Sequence, residues 1–415
     1  MFAVVPQPIK KIQLIRHACP PRTLLPSYFA LRNSPLFPIF LIVSVDVLGL
    51  TIILPLLPFY AEHFGASPAV VGLLVSTYAF CQLIAGPMLG RLSDHMGRRP
   101  LLLVSQVGTF IGFLILAFAG SLWLVFLSRV IDGLTAGNLS LAQAYISDVT
   151  KPEERAKSFA LIGIAFGMGF LIGPGISGYL SQFGYQYPIL LAAALSLTSI
   201  LATYFMLPTT KAVTDGDAVP RKFAILDWGN YVRFFRQPGL APVLWKFFAF
   251  TLTFSMFMSG FALFAERRFQ WHGRPFGPRE VGFVLAYLGL LGAIQQGGLM
   301  GRFVKAFGEQ RLLQAGFFMG MVGLAALGFT YSIPMLLVVT AISSTGTGFI
   351  RPVATSLITQ KAPRSEQGVV LGLTQSLNSV AAIISPAIAG FLIDHEWLAA
   401  WAIIPAAICG LALLF

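Results

Sequence analysis

Between two long apolar runs lies a polar stretch of ten residues, Gly90-Arg91-Leu92-Ser93-Asp94-His95-Met96-Gly97-Arg98-Arg99. A shorter copy recurs 211 positions later as Gly301-Arg302-Phe303-Val304-Lys305-Ala306-Phe307-Gly308, with Lys305 in the place of Asp94. Further matches at this spacing or one residue more are Gly137 with Gly348, Pro152 with Pro363, Pro174 with Pro386, and Gly178 with Gly390. So regular an offset across separate loops and runs predicts two related repeats.

Apolar runs of membrane-spanning length make up most of the chain. Hydrophobic residues are 56% and charged residues 11% of the 415 positions, a balance that an aqueous surface could hardly accommodate. Each run is near the ~20 residues that a helix needs to cross a bilayer, and the runs lack the alternation of barrel strands. The twelve runs lie at 36–61, 70–89, 101–119, 122–146, 158–181, 187–207, 242–265, 281–301, 312–331, 334–358, 369–392 and 397–415. We therefore predict an all-α integral membrane protein with twelve transmembrane helices.

The polar segments divide these runs into two sets of six. Residues 1–34 are basic and rich in proline, and we interpret them as a cytoplasmic tail. Residues 35–207 and 242–415 then form two six-helix bundles, joined by a cytoplasmic linker at 208–241. Parallel repeats of this kind place a substrate site between the bundles near the bilayer midplane, so we expect a central cavity there.

The formal charge of +12 has a topological explanation. With a cytoplasmic N-terminus, most Lys and Arg residues fall on the inner side, whereas the outer loops carry only Arg267, Arg268, Arg274 and Arg279. This asymmetry follows the positive-inside rule and predicts that both termini are cytoplasmic. A nucleic-acid partner is therefore not expected, and the lipid bilayer is the surrounding medium.

Several chemistries are disfavoured by what the sequence lacks. Cys19, Cys81 and Cys409 are far apart and odd in number, so no disulfide framework is indicated. The five histidines have no metal-ligand spacing, and no Walker loop is present. We expect no metal, no cofactor and no ATP-driven step, which leaves an ion gradient as the energy source.

Charges inside the apolar runs are the candidate functional groups. Asp46 and Asp132 are acidic residues well inside runs, where a carboxylate costs ~2.5–3.5 kcal/mol and usually serves ion coupling or faces a partner. Arg129 lies three residues before Asp132, so the two side chains can pair, either as a structural ion pair or as a protonation switch. Arg351 lies in the tenth run and can either attract an anionic substrate or extend to the membrane interface.

Three motifs together resemble the major facilitator superfamily, within it the drug:proton antiporter branch that includes tetracycline efflux proteins. The stretch Gly90–Arg99 matches the signature loop of that family. Ala144-Tyr145-Ile146-Ser147-Asp148, followed by Glu153, Glu154 and Arg155, is similar to its loop after the fourth helix. Gly169-Phe170-Leu171-Ile172-Gly173-Pro174-Gly175-Ile176-Ser177-Gly178 is similar to its antiporter motif, with Ser177 and Ala160 where glycine is usual.

The resemblance implies roles for particular residues. Helices one, four, seven and ten line the cavity in this family, which places Asp46, Arg129, Asp132 and Arg351 at the coupling and substrate site. The inner-gate loop comprises Gly90, Asp94, Gly97, Arg98, Arg99, Asp148 and Arg155, in which Asp94 can cap a helix and the arginines can meet Asp148 or Glu153. Gly169, Gly173, Pro174 and Gly178 form the antiporter-type helix, which packs closely and seals the cavity against protons.

The function that these features favour is export of small amphipathic, drug-like compounds in exchange for protons. Tetracycline exporters carry an acidic residue in the ninth helix, and run 312–331 has none, which argues against tetracycline itself. The imperfect motif around Ser177 leaves open a proton-coupled symporter or uniporter of a nutrient such as a sugar or organic acid. An intramembrane enzyme is a third hypothesis, but the sequence has no catalytic cluster for it. We expect a monomer in the bacterial plasma membrane.

Overall fold

The computed structural model describes residues 36–150, 155–208, 228–362 and 367–414. The predicted tail at 1–34, most of the linker, and Pro152, Glu153, Glu154 and Pro363 lie outside these ranges. The N-terminal helices are α1 (Leu36–Ile53), α2 (Leu57–His63), α3 (Pro68–Met96), α4 (Arg98–Ala117), α5 (Leu122–Thr135), α6 (Asn138–Val149), α7 (Arg155–Leu180) and α8 (Gln186–Met206). A 3-10 turn, Ser181–Phe183, follows α7.

The C-terminal part begins with a short helix and contains one small hairpin. Its helices are α9 (Trp228–Arg236), α10 (Ala241–Arg268), α11 (Pro278–Ile294), α12 (Met300–Phe307), α13 (Glu309–Gly328), α14 (Ile333–Lys361), α15 (Gln367–Asp394) and α16 (Leu398–Leu414). Strands β1 (Gln270–Trp271) and β2 (Arg274–Pro275) pair antiparallel, with Trp271 opposite Arg274. A π-helical turn, Gln295–Leu299, joins α11 to α12.

Within the described ranges, eleven helices are long and apolar enough to cross a membrane, and α16 is a shorter apolar helix. Together they confirm the predicted all-α membrane fold. Two of these spans are composite: α5 and α6 form one, and α11, the π-helical turn and α12 form another. We call α1–α8 the N-terminal bundle and α10–α16 the C-terminal bundle; α3 packs against α15, and α7 packs against α11, across this division.

The composite span α5–α6 is interrupted at Ala136 and Gly137, four residues after Asp132. Backbone N–H and C=O groups that lose their helical hydrogen bonds inside a membrane need other partners. Here the partner is the side chain of Ser105 in α4. Its Oγ accepts the Gly137 N–H at 2.9 Å and donates to the carbonyl of Thr135. The break is therefore satisfied by a neighbouring helix and sits beside the buried charges.

Gly97 and Gly308, which the sequence offset aligns, adopt the same backbone conformation. Gly97 has φ 91° and ψ 157°, and Gly308 has φ 76° and ψ 156°. Each residue ends one helix and starts the next, so a positive φ reverses the chain in a single step, which glycine alone does without strain. We call the helix ends near these residues the inner ends and the opposite ends the outer ends.

The two bundles meet most closely at their outer ends. A methyl group on Gly72 of α3 would collide with the carbonyl of Pro386 in α15, and one on Gly390 would lie 3.1 Å from Gly72 Cα. Likewise, a methyl group on Gly282 of α11 would lie 2.9 Å from Gly178 Cα of α7. Both crossings are backbone-to-backbone contacts that only small residues permit.

Toward the inner ends, the same helices separate. The described glycines in the inner halves of α3, α7, the α11–α12 span and α15 border open space. A methyl group built on any of them has no atom of the described residues within 4 Å, apart from the nearby backbone of its own helix. These glycines are Gly86, Gly90, Gly163, Gly167, Gly297, Gly298, Gly301 and Gly372. The bundles are thus closed at the outer ends and parted at the inner ends. The described contacts therefore indicate an opening between the bundles on the side of the Gly90–Arg99 loop, which we call the cavity.

Two glycines of α3 provide a matched test of the outer crossing. Gly72→Ala forces a methyl group against the backbone of α15, and overpacking of this kind costs about 1–3 kcal/mol. Gly86→Ala adds the same methyl group in open space and gains helix propensity of about 1 kcal/mol. We expect a lower thermal midpoint in detergent for Gly72→Ala and an equal or higher one for Gly86→Ala. Equal midpoints for the two variants would contradict the close crossing.

Candidate functional site

Asp46 lies in the middle of α1, half-buried, at the centre of the N-terminal bundle. Its carboxylate is hydrogen-bonded by Ser199 of α8. Ser199 in turn accepts a hydrogen bond from Gln106 Nε2 of α4 at 2.9 Å. The Oδ2 atom of Asp46 is buried and has no hydrogen-bond partner among the described residues. One oxygen of Asp46 is therefore held by a polar chain, while the other has an unfilled bonding position.

Arg129 and Asp132 form the predicted ion pair on α5. Arg129 Nη1 lies 3.1 Å from Asp132 Oδ2, and both side chains are buried. Thr109 of α4 hydrogen-bonds to Asp132, and the guanidinium of Arg129 lies over the ring of Phe113 at 5.8 Å. Pairing the charges removes most of the cost of burying each one alone.

Glycines bring the neighbouring helices close enough for these contacts. A methyl group on Gly112 of α4 would lie 3.0 Å from Asp132 Cβ. A methyl group on Gly133 of α5 would lie 2.7 Å from Cys81 Cβ and 2.8 Å from the carbonyl of Tyr78 in α3. The ion pair is thus held between α3 and α4 by backbone approach on two sides.

Tyr78 connects the two acidic residues. Its side chain is half-buried, and its hydroxyl interacts electrostatically with Asp46, Arg129 and Asp132 together. Asp46 and Asp132 are also close enough for their own charges to interact. The hydroxyl accepts a 3.3 Å hydrogen bond from Gln82 Nε2, one turn further along α3. The charges predicted from separate apolar runs are therefore one polar cluster, which we call the N-terminal cluster (Asp46, Tyr78, Arg129 and Asp132).

Arg351 lies apart from this cluster, on α14 of the C-terminal bundle. Its side chain is exposed, yet protein atoms surround the guanidinium. A side chain that is accessible and surrounded at once lines an internal cavity, whereas an arginine extending along lipid would have protein on one side only. The assignment of Arg351 to the substrate site stays a prediction.

The inner-gate loop is assembled around Arg98. Its guanidinium pairs with Asp94 at 2.6 Å and with Asp148 of α6 at 2.8 Å, and it donates to Ser93 Oγ at 2.6 Å. The contact with Asp148 was predicted and is confirmed. The predicted helix cap was wrong: α3 continues through Asp94 to Met96, and α4 begins after Gly97 without a side-chain cap.

The remaining loop residues have different surroundings. Gly90 offers its carbonyl to Arg98 at 3.5 Å, and Arg99 donates to the carbonyl of Tyr204 in α8. Arg155 begins α7, but its side chain lies outside the described part of the structure. The described ion pairs of Arg98 all lie within the N-terminal bundle, so they hold α3, α4 and α6 together.

The antiporter-type motif lies along α7 and contacts both bundles. Thr51 of α1 donates to the carbonyl of Gly169 at 2.9 Å, and a methyl group on Gly173 would collide with Thr51. Further along, Pro174 and Gly178 pack against Gly282 of α11. The helix runs without interruption through Pro174. This motif therefore connects the helix that carries Asp46 to the outer crossing between the bundles.

A charge cluster at the outer ends was not predicted. Arg267 of α10 binds Glu62 of α2 at 2.6 Å and Glu266 at 3.1 Å, and Glu62 and Glu266 are hydrogen-bonded to each other. Glu62 and Arg267 are in different bundles, so this outer latch joins them. The cluster was missed because all three residues stand at helix ends, where charges carry no signal beyond membrane topology.

Other partners in the N-terminal cluster were missed as well. Tyr78, Gln106, Thr109 and Ser199 come from three helices and have no motif of their own. Their only sequence signal is that they are polar residues inside apolar runs. That signal could have identified these residues as candidates, but it could not have predicted that Ser199 contacts Asp46.

Comparison with known proteins agrees with this architecture. The family model described as Major Facilitator Superfamily matches residues 39–299 and 297–415. The chain belongs to the Major Facilitator Superfamily. It is a membrane transporter and not an enzyme, as the resemblance had implied.

Relatives in this superfamily cover most of the chain. The tetracycline resistance protein, class B, of Escherichia coli is 30% identical over 86% of this chain and 87% of its own. The class E tetracycline resistance protein of Escherichia coli is 32% identical over 85% and 86%. The crystal structure of the human organic anion transporter MFSD10 (TETRAN) shares the fold, with a TM-score of 0.71, 22% identity, and coverage of 91% and 98%.

The ion pair on α5 can be tested through stability. Arg129→Met leaves Asp132 buried without its partner, and breaking a buried pair from one side costs about 3–5 kcal/mol. Arg129→Met combined with Asp132→Leu removes both charges and restores much of that loss. We expect a large drop in the thermal midpoint for the single variant and a smaller one for the double variant. A drop in the thermal midpoint of the double variant as large as that of Arg129→Met, or larger, would contradict a direct pair.

Proposed function

We propose that this transporter exports small amphipathic, drug-like organic compounds in exchange for protons, by alternating access. The observation that carries the proton part is Asp46, whose buried Oδ2 has no described donor. A proton on that atom neutralises the charge, whereas the ionised form leaves a desolvated, charged oxygen unpaired. Such a group binds a proton in one state and gives it up when its surroundings change.

The cargo class is supported by relatives and by the shape of the site. Several relatives are named as tetracycline resistance proteins, and a protein of Bacillus subtilis (strain 168), 26% identical, is named multidrug resistance protein 2. We assign the half-buried phenylalanines of α10, Phe254 and Phe257, to the wall of the cavity together with the N-terminal cluster. Apolar walls with few polar groups suit amphipathic ligands.

Coupling is proposed to run through the N-terminal cluster. Proton binding at Asp46 or Asp132 changes the charge that Arg129 and Tyr78 experience. The four residues of this cluster belong to three helices, α1, α3 and α5. Asp46 also lies on the helix that Thr51 ties to α7, and α7 contacts the other bundle at Gly282. A change of charge at Asp46 therefore acts on a helix connected to the interface between the bundles.

The bundles 35–207 and 242–415 are proposed to rock about this interface. In the conformation described, the outer ends are closed by two glycine crossings and by the outer latch. Opening outward requires these contacts to part and the inner ends to meet near the Arg98 loop. We further propose a monomer in the bacterial plasma membrane, with both termini in the cytoplasm.

The coupling role of Asp46 is tested in proteoliposomes. With an imposed proton gradient, we expect Asp46→Asn to reduce gradient-driven transport of a fluorescent amphipathic dye to background, and Asp46→Glu to retain part of it, because only the acid can exchange a proton. Asp394→Asn, at an exposed carboxylate at the outer end of α15, is the control and should behave as wild type. Wild-type coupling in Asp46→Asn would remove the proposed role.

The outer latch is tested by distance measurements. Arg267→Gln removes a partly exposed ion pair, worth about 1 kcal/mol at most, which corresponds to roughly a fivefold shift in conformer ratio. Spin labels at cysteines replacing exposed Phe183 and Trp271 report the separation of the outer ends, with Cys19→Ser in the background. We expect Arg267→Gln to have a larger outward-open fraction than wild type, and the control Arg274→Gln to have the same fraction as wild type. An unchanged distance distribution would exclude a latch at this site.

A further inference from the structure

Arg351 is a charge in the wall of the cavity for which the fold provides no obvious counterion. It lies ten residues before Lys361, the last residue of α14, and so about 15 Å from the inner end of that helix. It is exposed to the cavity and surrounded by protein atoms. Among the described residues, no carboxylate lies within ion-pair distance of its guanidinium.

The carboxylates that could serve are engaged elsewhere or stand in the other bundle. Glu309 does contact α14, but it accepts hydrogen bonds from Ser356 at 2.8 Å and Gln360 at 3.0 Å, further toward the inner end. Asp132 is paired with Arg129, and Asp46 belongs to α1. The Arg351 guanidinium is thus accessible and has no described carboxylate beside it, so an anionic group that enters between the bundles can bind there.

The neighbouring π-helical turn adds polar side chains to this wall. One turn before Arg351, Gly348 packs against the side chain of Gln295, whose Cδ would lie 3.0 Å from a methyl group there. Gln295 Nε2 donates to the carbonyl of Thr345 at 2.7 Å. Gln295 begins the π-helical turn, a feature frequent at functional sites. Beyond it, Gln296 is exposed, and Gly297 and Gly298 border open space.

We propose that Arg351 binds an anionic group of the cargo, a carboxylate or phenolate, at the C-terminal wall of the cavity. The proposal rests on the proposed function for the assignment of this cavity to cargo. A guanidinium matches a carboxylate with two parallel hydrogen bonds. The carboxylates of the N-terminal cluster stand in the other bundle, so on the C-terminal side the site presents a cation. Amphipathic organic acids and zwitterions fit it better than permanent cations.

Two xanthene dyes of opposite charge distinguish an anion-binding site at Arg351 from a hydrophobic pocket without charge preference. Fluorescein carries a carboxylate and a phenolate at mildly alkaline pH, whereas rhodamine 6G is a cationic ester of similar shape. Binding to the purified full-length protein in detergent is measured by fluorescence anisotropy, without any gradient. We expect Arg351→Gln to weaken fluorescein binding about tenfold or more, the scale of one charged hydrogen-bonded contact, and to leave rhodamine 6G within about twofold.

Two further variants serve as controls. Arg351→Lys keeps the charge without the fork and should fall between wild type and Arg351→Gln for fluorescein. Arg302→Gln removes an exposed cation of the same bundle and should change neither dye. Retained rhodamine 6G binding and a single peak in size-exclusion chromatography show that a variant is folded.

The outcomes separate this proposal from the function it rests on. Unchanged fluorescein binding in Arg351→Gln, an equal loss in Arg302→Gln, an equal loss of both dyes, or no fluorescein binding by wild type each overturn the anionic subsite. Arg351-dependent fluorescein binding combined with absent proton-coupled export in proteoliposomes would keep the subsite and reject the proposed function. Neither result depends on the other, because the binding assay contains no proton gradient.

Discussion

The close approach of α3 to α15 and of α7 to α11 determines where this molecule is open. Both crossings lie at the outer ends and use backbone against backbone, at Gly72 with Gly390 and at Gly178 with Gly282. Helices that cross so closely at one end diverge toward the other, and the inner-half glycines border open space. The cavity, its inward opening and the accessibility of the charges inside it all follow from this geometry.

Buried charge is managed differently in the two bundles. In the N-terminal bundle, Asp132 is neutralised by Arg129, and Asp46 is bound through one oxygen only. In the C-terminal bundle, Arg351 has no described carboxylate beside it. In the proposed mechanism, the groups without a described charged partner are the ones whose partners come and go. A proton suits Asp46 for this reason, and an anionic group suits Arg351.

Much of the fold follows from hydrophobicity and from the repeat. The apolar runs become helices because a lipid-exposed backbone must satisfy its own hydrogen bonds. Gly97 and Gly308, aligned by the offset, share one conformation. Proximity along the chain also sufficed to pair Arg129 with Asp132, three residues apart. Asp94 was placed wrongly as a cap because the local pattern does not reveal that α3 extends to Met96.

Contacts between distant helices could not be predicted in this way. Ser199 reaches Asp46 from 153 positions along the chain, and no periodicity encodes that pairing. The pairing of Arg267 with Glu62 across the bundle interface could not be predicted for the same reason, since Arg267 had been interpreted as topological charge and Glu62 had not been singled out. The sequence also could not show which ion pairs join the two bundles and which lie within one bundle. The outer latch joins the two bundles, whereas the described pairs of Arg98 stay inside one.

That contrast bears on what holds the outer ends shut. A partly exposed pair such as Glu62 with Arg267 contributes about 1 kcal/mol at most. The two glycine crossings bury backbone against backbone over several turns, and packing of that kind is what associates helices in lipid. Closure therefore rests mainly on shape, and the ion pair adjusts it by a small increment. In the proposed mechanism, a proton or an anionic cargo shifts the conformational balance only by as much as its affinity for the two conformations differs.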